Sequence, residues 1–244
     1  MALLQTHHIS KTYSDHQILA DINIQLNQGE LVSILGVSGI GKTTLFNIIA
    51  GLLSPENGEV LLKNQPITNK TGQLSYMLQK DLLLPYRTIM GNVILPALMR
   101  GTSKKVAEAK AAPLFKLFGL QHTEKRYPQA LSGGMRQRAA LLRTYMFNKE
   151  VALLDEPFSA LDEITKHQVH AWYLNLMSKI NLSTLLITHD VEEAILLSDR
   201  IYILSGTPAS ITKEIIIDSE LKKQPDFELS TSFLDYKRQI LNLL

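Results

Sequence analysis

The sequence predicts an α/β fold with a parallel-sheet core, an N-terminal antiparallel β subdomain and an all-helical insertion. Three observations carry that prediction. The glycine-rich stretch Gly36-Val37-Ser38-Gly39-Ile40-Gly41-Lys42-Thr43-Thr44 stands between the apolar run Leu31-Val32-Ser33-Ile34-Leu35 and the helix-like Leu45-Phe46-Asn47-Ile48-Ile49-Ala50. Residues 3–35 alternate apolar with polar side chains, as half-buried antiparallel strands do. From about residue 86 to about 148 strand signals give way to helical spacing, and a βα alternation then returns.

Taken in order, Leu3-Leu4, Ile18-Leu19 and Ile22–Leu26 read as short strands, with Asn27-Gln28-Gly29 a turn and Tyr13 in a polar loop between strands. Gly51 closes the helix after the glycine loop. Glu59–Leu62 and Leu74–Leu78 are expected strands, the second ending at Gln79. Helices are expected over 89–99 and 104–118, with Pro113 bending or breaking the second, and over 135–146. Val151-Ala152-Leu153-Leu154 is an expected buried strand ending at Asp155-Glu156. A helix over 163–179, a strand over 184–188 ending at His189, a helix over 191–197 and a strand over 201–204 follow. In the tail, Ile215-Ile216-Ile217 reads as an added strand. Phe233, Leu234, Lys237, Ile240, Leu241 and Leu244 share one helical stripe, capped by Ser230 or Thr231, for packing on its own domain or on a partner. All 244 residues read as one domain, with a helical subdomain over roughly 86–148 and a C-terminal strand/helix extension over roughly 208–244.

The glycine loop has the spacing G-x-x-x-x-G-K-[ST], and its strand-loop-helix context marks a phosphate site rather than a mere turn. Successive N–H groups in such a loop point inward, and the helix start adds its positive end. Lys42 is expected to reach the β- and γ-phosphates, and the Thr43 hydroxyl to ligate Mg²⁺. Asp155 is placed to hold Mg²⁺ beside Thr43, and Glu156 to polarise a water as general base. Ligands collect at the carboxyl ends of strands in open α/β sheets, where the loop, Gln79, Asp155, Glu156 and His189 all fall.

Bulk properties exclude several classes. A formal net charge of +2 gives no electrostatic reason to expect nucleic acid, and the absence of cysteine removes disulfides and thiolate metal sites. No apolar run approaches the ~20 residues of a membrane helix. The N-terminus, from Met1 to His8, lacks the form of a signal peptide, so the chain is expected in the cytoplasm, reaching a membrane only through a partner.

Leu131-Ser132-Gly133-Gly134-Met135-Arg136-Gln137-Arg138, then Leu154-Asp155-Glu156-Pro157 and Ser159-Ala160-Leu161-Asp162, resemble the signature, Walker B and D-loop motifs of the ATP-binding cassette (ABC) ATPases, in order. Gln79 corresponds to their Q-loop, His189 in Thr188-His189-Asp190 to their H-loop, and Tyr13 to their adenine-stacking aromatic. The resemblance covers essentially the whole chain and implies a P-loop NTPase core, ATP and Mg²⁺. It assigns nucleotide contacts to Tyr13, the loop from Gly36 to Thr44, Gln79, Ser132, Gly133, Gly134, Gln137 and Asp162. It implies Thr43, Gln79 and Asp155 around the metal, with Glu156, His189 and Lys42 in catalysis. It also implies a head-to-tail dimer, because Ser132-Gly133-Gly134 grips the γ-phosphate held by a second copy.

A single cassette without a membrane span or coiled coil resembles the subunit of an importer whose membrane permease is a separate chain, itself fed by a solute-binding protein. Leu83-Leu84-Pro85-Tyr86-Arg87-Thr88-Ile89 and Ile215-Ile216-Ile217-Asp218, with Lys222-Lys223 and Asp226-Phe227, resemble the nitrate/sulfonate/taurine group, which also includes carriers of thiamine-precursor pyrimidines. The expected location is the inner face of the cell membrane. Residues 82–87 then line the permease groove, or else form core of the insertion. The alternative function is a soluble non-transport cassette acting as regulator or scaffold.

Overall fold

The computed structural model describes residues 2–224 and 226–244. Met1, with which the N-terminal reading began, lies outside the described residues, as does Pro225. Contacts divide the chain into two compact units: the chain up to Leu74 with Leu153–Glu156 and Leu182–Leu244, and Ser75–Ala152 with Pro157–Asn181. Among the described residues, no helix is long and apolar enough to cross a membrane.

The first unit opens with a long antiparallel hairpin, β1 (Ala2–Tyr13) and β2 (His16–Asn27), paired from Ala2 opposite Asn27 to Tyr13 opposite His16. Alternate residues Ile22, Ile24 and Leu26 point into the core, as a strand period of two dictates. The ladder also runs through the polar residues around the turn, so Tyr13, expected in a loop, is the last residue of β1. The strand β3 (Leu31–Leu35) is buried along its whole length, as a central parallel strand must be. It leads through the glycine loop into α1 (Lys42–Ile49). The strand β4 (Asn57–Leu62) pairs antiparallel with β1 and carries the short β5 (Gln65–Pro66), completing a sheet of order β2-β1-β4-β5.

The second unit begins with β6 (Ser75–Met77). The helix expected over 89–99 is two short helices, α2 (Ile89–Val93) and α3 (Leu95–Met99). Pro96 explains the break, since it offers no N–H to the turn before it. Pro113 breaks nothing: α4 (Lys104–Leu117) runs through it. The carbonyl it deprives belongs to Ala109, which faces solvent and can bond to water instead. Then come α5 (Gly133–Tyr145), whose cap is Ser132, and β7 (Val151–Asp155), whose last three residues belong to the first unit. The second unit closes with α6 (Glu163–Met177), and Phe118 packs there between Tyr145 and Trp172 at ring distances of 5.7 and 6.1 Å.

The first unit resumes with β8 (Ser183–Thr188), α7 (Val191–Leu197) and β9 (Arg200–Ser205). Both β8 and β9 pair in parallel with β3, so their carboxyl ends share the edge where β3 ends. The strand β10 (Ser210–Ile216) is an antiparallel addition to β9, and the strands of this unit lie in the order β10-β9-β3-β8-β7. The tail forms α8 (Ser219–Lys222) and α9 (Thr231–Leu241). Of the two cap candidates, Ser230 caps α9, its hydroxyl accepting from the Phe233 amide at 3.2 Å. Phe233 and Ile240 from the expected stripe are buried on their own domain, against Ala194 and Ile195 of α7, while Leu234 and Leu241 stay exposed.

Candidate functional site

At the carboxyl end of β3 the chain must turn within a narrow space. A side chain on Gly36 would begin 2.6 Å from the Leu204 carbonyl oxygen. Gly41, which caps α1, has φ of 112°, and a side chain there would begin 2.9 Å from Cγ2 of Ile18. Only glycine meets both conditions without displacing neighbouring chain. Val37, Ser38 and Gly39 are left at the surface, with Ile40 and Thr44 partly covered.

Lys42 turns inward and is only 5% exposed. Its ammonium donates to the carbonyls of Gly36 at 2.8 Å and Val37 at 2.9 Å, and lies 3.9 Å from a Glu156 carboxylate oxygen. Burial pushes its pKa below the ordinary lysine value, against the opposing pull of Glu156 and Asp155. The Thr43 hydroxyl donates to Oδ2 of Asp155 at 3.1 Å, joining the start of α1 to the end of β7.

Glu156 follows Asp155 with φ of 44°, a left-handed conformation costly for a residue carrying Cβ. Its amide donates to the Ile187 carbonyl at 2.9 Å, which pins it to β8. That backbone turn brings its carboxylate to 3.1 Å from Nδ1 of His189, the residue after β8. The His189 side chain is half exposed, so its ring stands between the largely covered Glu156 carboxylate and solvent. Behind it, the Asp190 amide donates to Thr188 Oγ1, and the Asp190 carboxylate accepts from the amides of Glu192 and Glu193.

Thus one unit gathers Gly36 to Thr44, Asp155, Glu156 and His189. Tyr13 belongs to the same unit, half exposed at the hairpin turn with Lys11 Nζ 5.5 Å from its ring centre. The other sequence candidates stand in the second unit. Gln79 is exposed just after β6. The Ser132 hydroxyl accepts from the Met135 amide at 3.3 Å, capping α5, of which Gly133 and Gly134 are the first turn. Gln137, one turn further, is buried. Asp162 caps α6 through Thr165, accepting from its amide at 3.0 Å and its hydroxyl at 2.7 Å, and those bonds hold its pKa low.

Two residues that sequence reading passed over shape the segment after Gln79. Asn92 is buried on α2; its Oδ1 accepts from the Leu84 amide, and its Nδ2 donates to the carbonyls of Leu84, Arg87 and Thr88. Arg143 donates to the carbonyls of Asp81 and Leu82. Together they hold residues 81–88 with Leu83 buried and Leu82 and Tyr86 exposed. An asparagine inside an otherwise apolar helical pattern was the available signal.

A family model described as ABC transporter matches residues 19–159. The chain is 42% identical to the formylaminopyrimidine import ATP-binding protein ThiZ of Halalkalibacterium halodurans, over 91% of this chain and 87% of that protein. It is 36% identical to the nitrate import ATP-binding protein NrtD of a Synechocystis species, over 93% of this chain and 87% of that one. A solved ATP-binding cassette, a dimer in a post-hydrolysis state bound to ADP and Pi, is similar with a TM-score of 0.75 at 28% identity, over 88% of this chain and 99% of that one. The chain belongs to the ABC transporter family, as one of its ATP-hydrolysing, ATP-binding cassettes.

Proposed function

We propose that this cassette powers an importer: it dimerises around two ATP molecules and drives a separate membrane permease, delivering a small anion or organic molecule supplied by a solute-binding protein. The observation that carries the ATP-hydrolysing part of this reading is the first unit's cluster, with Thr43 on Asp155 at 3.1 Å and Glu156 on His189 at 3.1 Å. In this reading the amides of residues 36–44 and the Lys42 ammonium bind the phosphates of ATP, and Tyr13 stacks on the adenine. Thr43 and Asp155 are hard oxygen donors already in contact, a set that suits Mg²⁺. Mg²⁺, when bound, neutralises charge developing on the phosphate oxygens. Glu156 takes the proton of the attacking water, and His189 holds that carboxylate in place while contacting the γ-phosphate.

Gln79, Ser132, Gly133, Gly134, Gln137 and Asp162 take the parts the family resemblance gives them, with Ser132-Gly133-Gly134 acting on ATP held by a second copy of the chain. The exposed Leu82 and Tyr86, on a segment fixed by Asn92 and Arg143, support a docking role for residues 82–87, although Leu83 among them is buried. The cargo class is supported by two relatives named for formylaminopyrimidine import and for nitrate import. Binding to the permease places the cassette at the inner face of the membrane.

The test is phosphate release from ATP with and without Mg²⁺, by the chain alone and reconstituted with a candidate permease and binding protein from the same source. Mg²⁺-dependent turnover, abolished in Lys42→Ala and stimulated by permease and loaded binding protein, is expected. Turnover indifferent to the permease contradicts the importer reading.

A further inference from the structure

The tail does more than extend the sheet. Beyond β10, Phe227, Phe233 and Ile240 close over Ala194 and Ile195 of α7, with Val191, Leu196, Leu221 and Tyr236 packed around them. Two lysines then take hold of α7 at opposite ends. Lys237 of α9 places Nζ 2.5 Å from Oε1 of Glu192, in the first turn of α7. Lys222 of α8 donates to the carbonyls of Leu197 at 3.1 Å and Ser198 at 2.7 Å, where α7 ends and its carbonyls lack helical partners.

What lies at the front of α7 gives this grip its consequence. Its cap, Asp190, is the neighbour of His189, and the carboxylate of Asp190 accepts from the amide of Glu192, the residue that Lys237 holds. A helix of seven residues moves as a piece, so a shift of α7 passes through Asp190 to the imidazole and its 3.1 Å contact with Glu156. On the other side His189 follows β8, which its parallel ladder fixes to β3, so the cap and first turn of α7 are the second support of the imidazole.

We propose that Lys237 is a positioning residue for hydrolysis, holding the first turn of α7 so that His189 stays on the Glu156 carboxylate. This rests on the reading of Glu156 and His189 as the hydrolytic pair. The Lys237 contact suits such a role, because a half-exposed ion pair adds little to global stability while still fixing a local geometry.

The experiment compares the full chain with Lys237→Ala, Lys237→Arg, Glu192→Gln and His189→Ala. It measures kcat and KM for ATP, the thermal midpoint, and the imidazole cross-peak of His189, assigned by its loss in His189→Ala. Lys237→Ala and Glu192→Gln are expected to lower kcat about three- to tenfold, with KM unchanged within about twofold and the His189 cross-peak displaced. Lys237→Arg is expected to restore both kcat and the cross-peak. Wild-type kcat in both disrupted variants, or a loss that arginine does not recover with the cross-peak unmoved, overturns the positioning role. Wild-type turnover in His189→Ala would instead overturn the hydrolytic reading, and this inference with it.

Discussion

Glu156 and His189 meet at 3.1 Å although their strands are separate in sequence, and the contact depends on Glu156 holding φ at 44°. A residue in the ordinary strand conformation would send its side chain elsewhere. The hydrogen bond donated by the Glu156 amide to the Ile187 carbonyl maintains the turn, so strain at one residue is balanced by a backbone contact to β8. Glu156 also lies 3.9 Å from Lys42, so three chain segments share one small polar cluster.

The glycine that caps α1 combines a positive φ with a close side-chain neighbour. Gly41→Ala is expected to destabilise the chain by about 1–3 kcal/mol, from the positive φ and the close approach to Ile18 together. Urea unfolding with and without ATP reads both effects: a lower midpoint, and loss of the stabilisation that ATP gives the wild type.

Lys222 gives a pH signature. Burial lowers its pKa below the ordinary lysine value, with Asp199 pulling the other way. Between the two values the unfolded chain binds more protons than the folded one, so the unfolding free energy rises with pH across that alkaline window. Replacing Lys222 with Met removes this contribution. Thermal midpoints taken from about pH 8 to about pH 10 should therefore climb less, or fall more, in the variant than in the wild type.

Ser132→Ala removes the cap of α5, and a loss of about 1 kcal/mol is expected in chemical denaturation. If Ser132 also serves the second copy, the variant loses ATP-dependent dimerisation by gel filtration. Dimerisation equal to wild type would leave Ser132 a cap only.

Tyr86→Asp alters an exposed side chain on the segment braced by Asn92 and Arg143. ATP turnover of the isolated chain is expected to stay at the wild-type level, while capture of a multi-span protein from detergent-solubilised membranes is lost. Undiminished capture would contradict docking at this segment.

Much of this architecture was legible because its signals are local. The loop from Gly36 to Thr44, the apolar β3 and β7, and the helix over 191–197 are each written in a few consecutive residues. The hairpin is longer than its side-chain pattern predicts, since backbone pairing carries β1 and β2 through Lys11 to Leu19, where alternation fades. Pro96 divides α2 from α3 whereas α4 runs through Pro113, whose deprived carbonyl belongs to the exposed Ala109, and no pattern in sequence records that difference. The pairing of Glu156 with His189 required β7 and β8, distant in sequence, to lie side by side, and Lys237 on Glu192 required the tail to fold back onto α7. Long-range contacts of this kind leave no periodicity behind.

The most direct test of the account is Glu156→Gln, which preserves size and hydrogen-bonding reach but removes the carboxylate base. Turnover is expected to fall by about 10²–10⁴-fold, with ATP still bound and the chain eluting from gel filtration in ATP as a stable dimer. Wild-type turnover in Glu156→Gln, with a monomer in ATP, would contradict it.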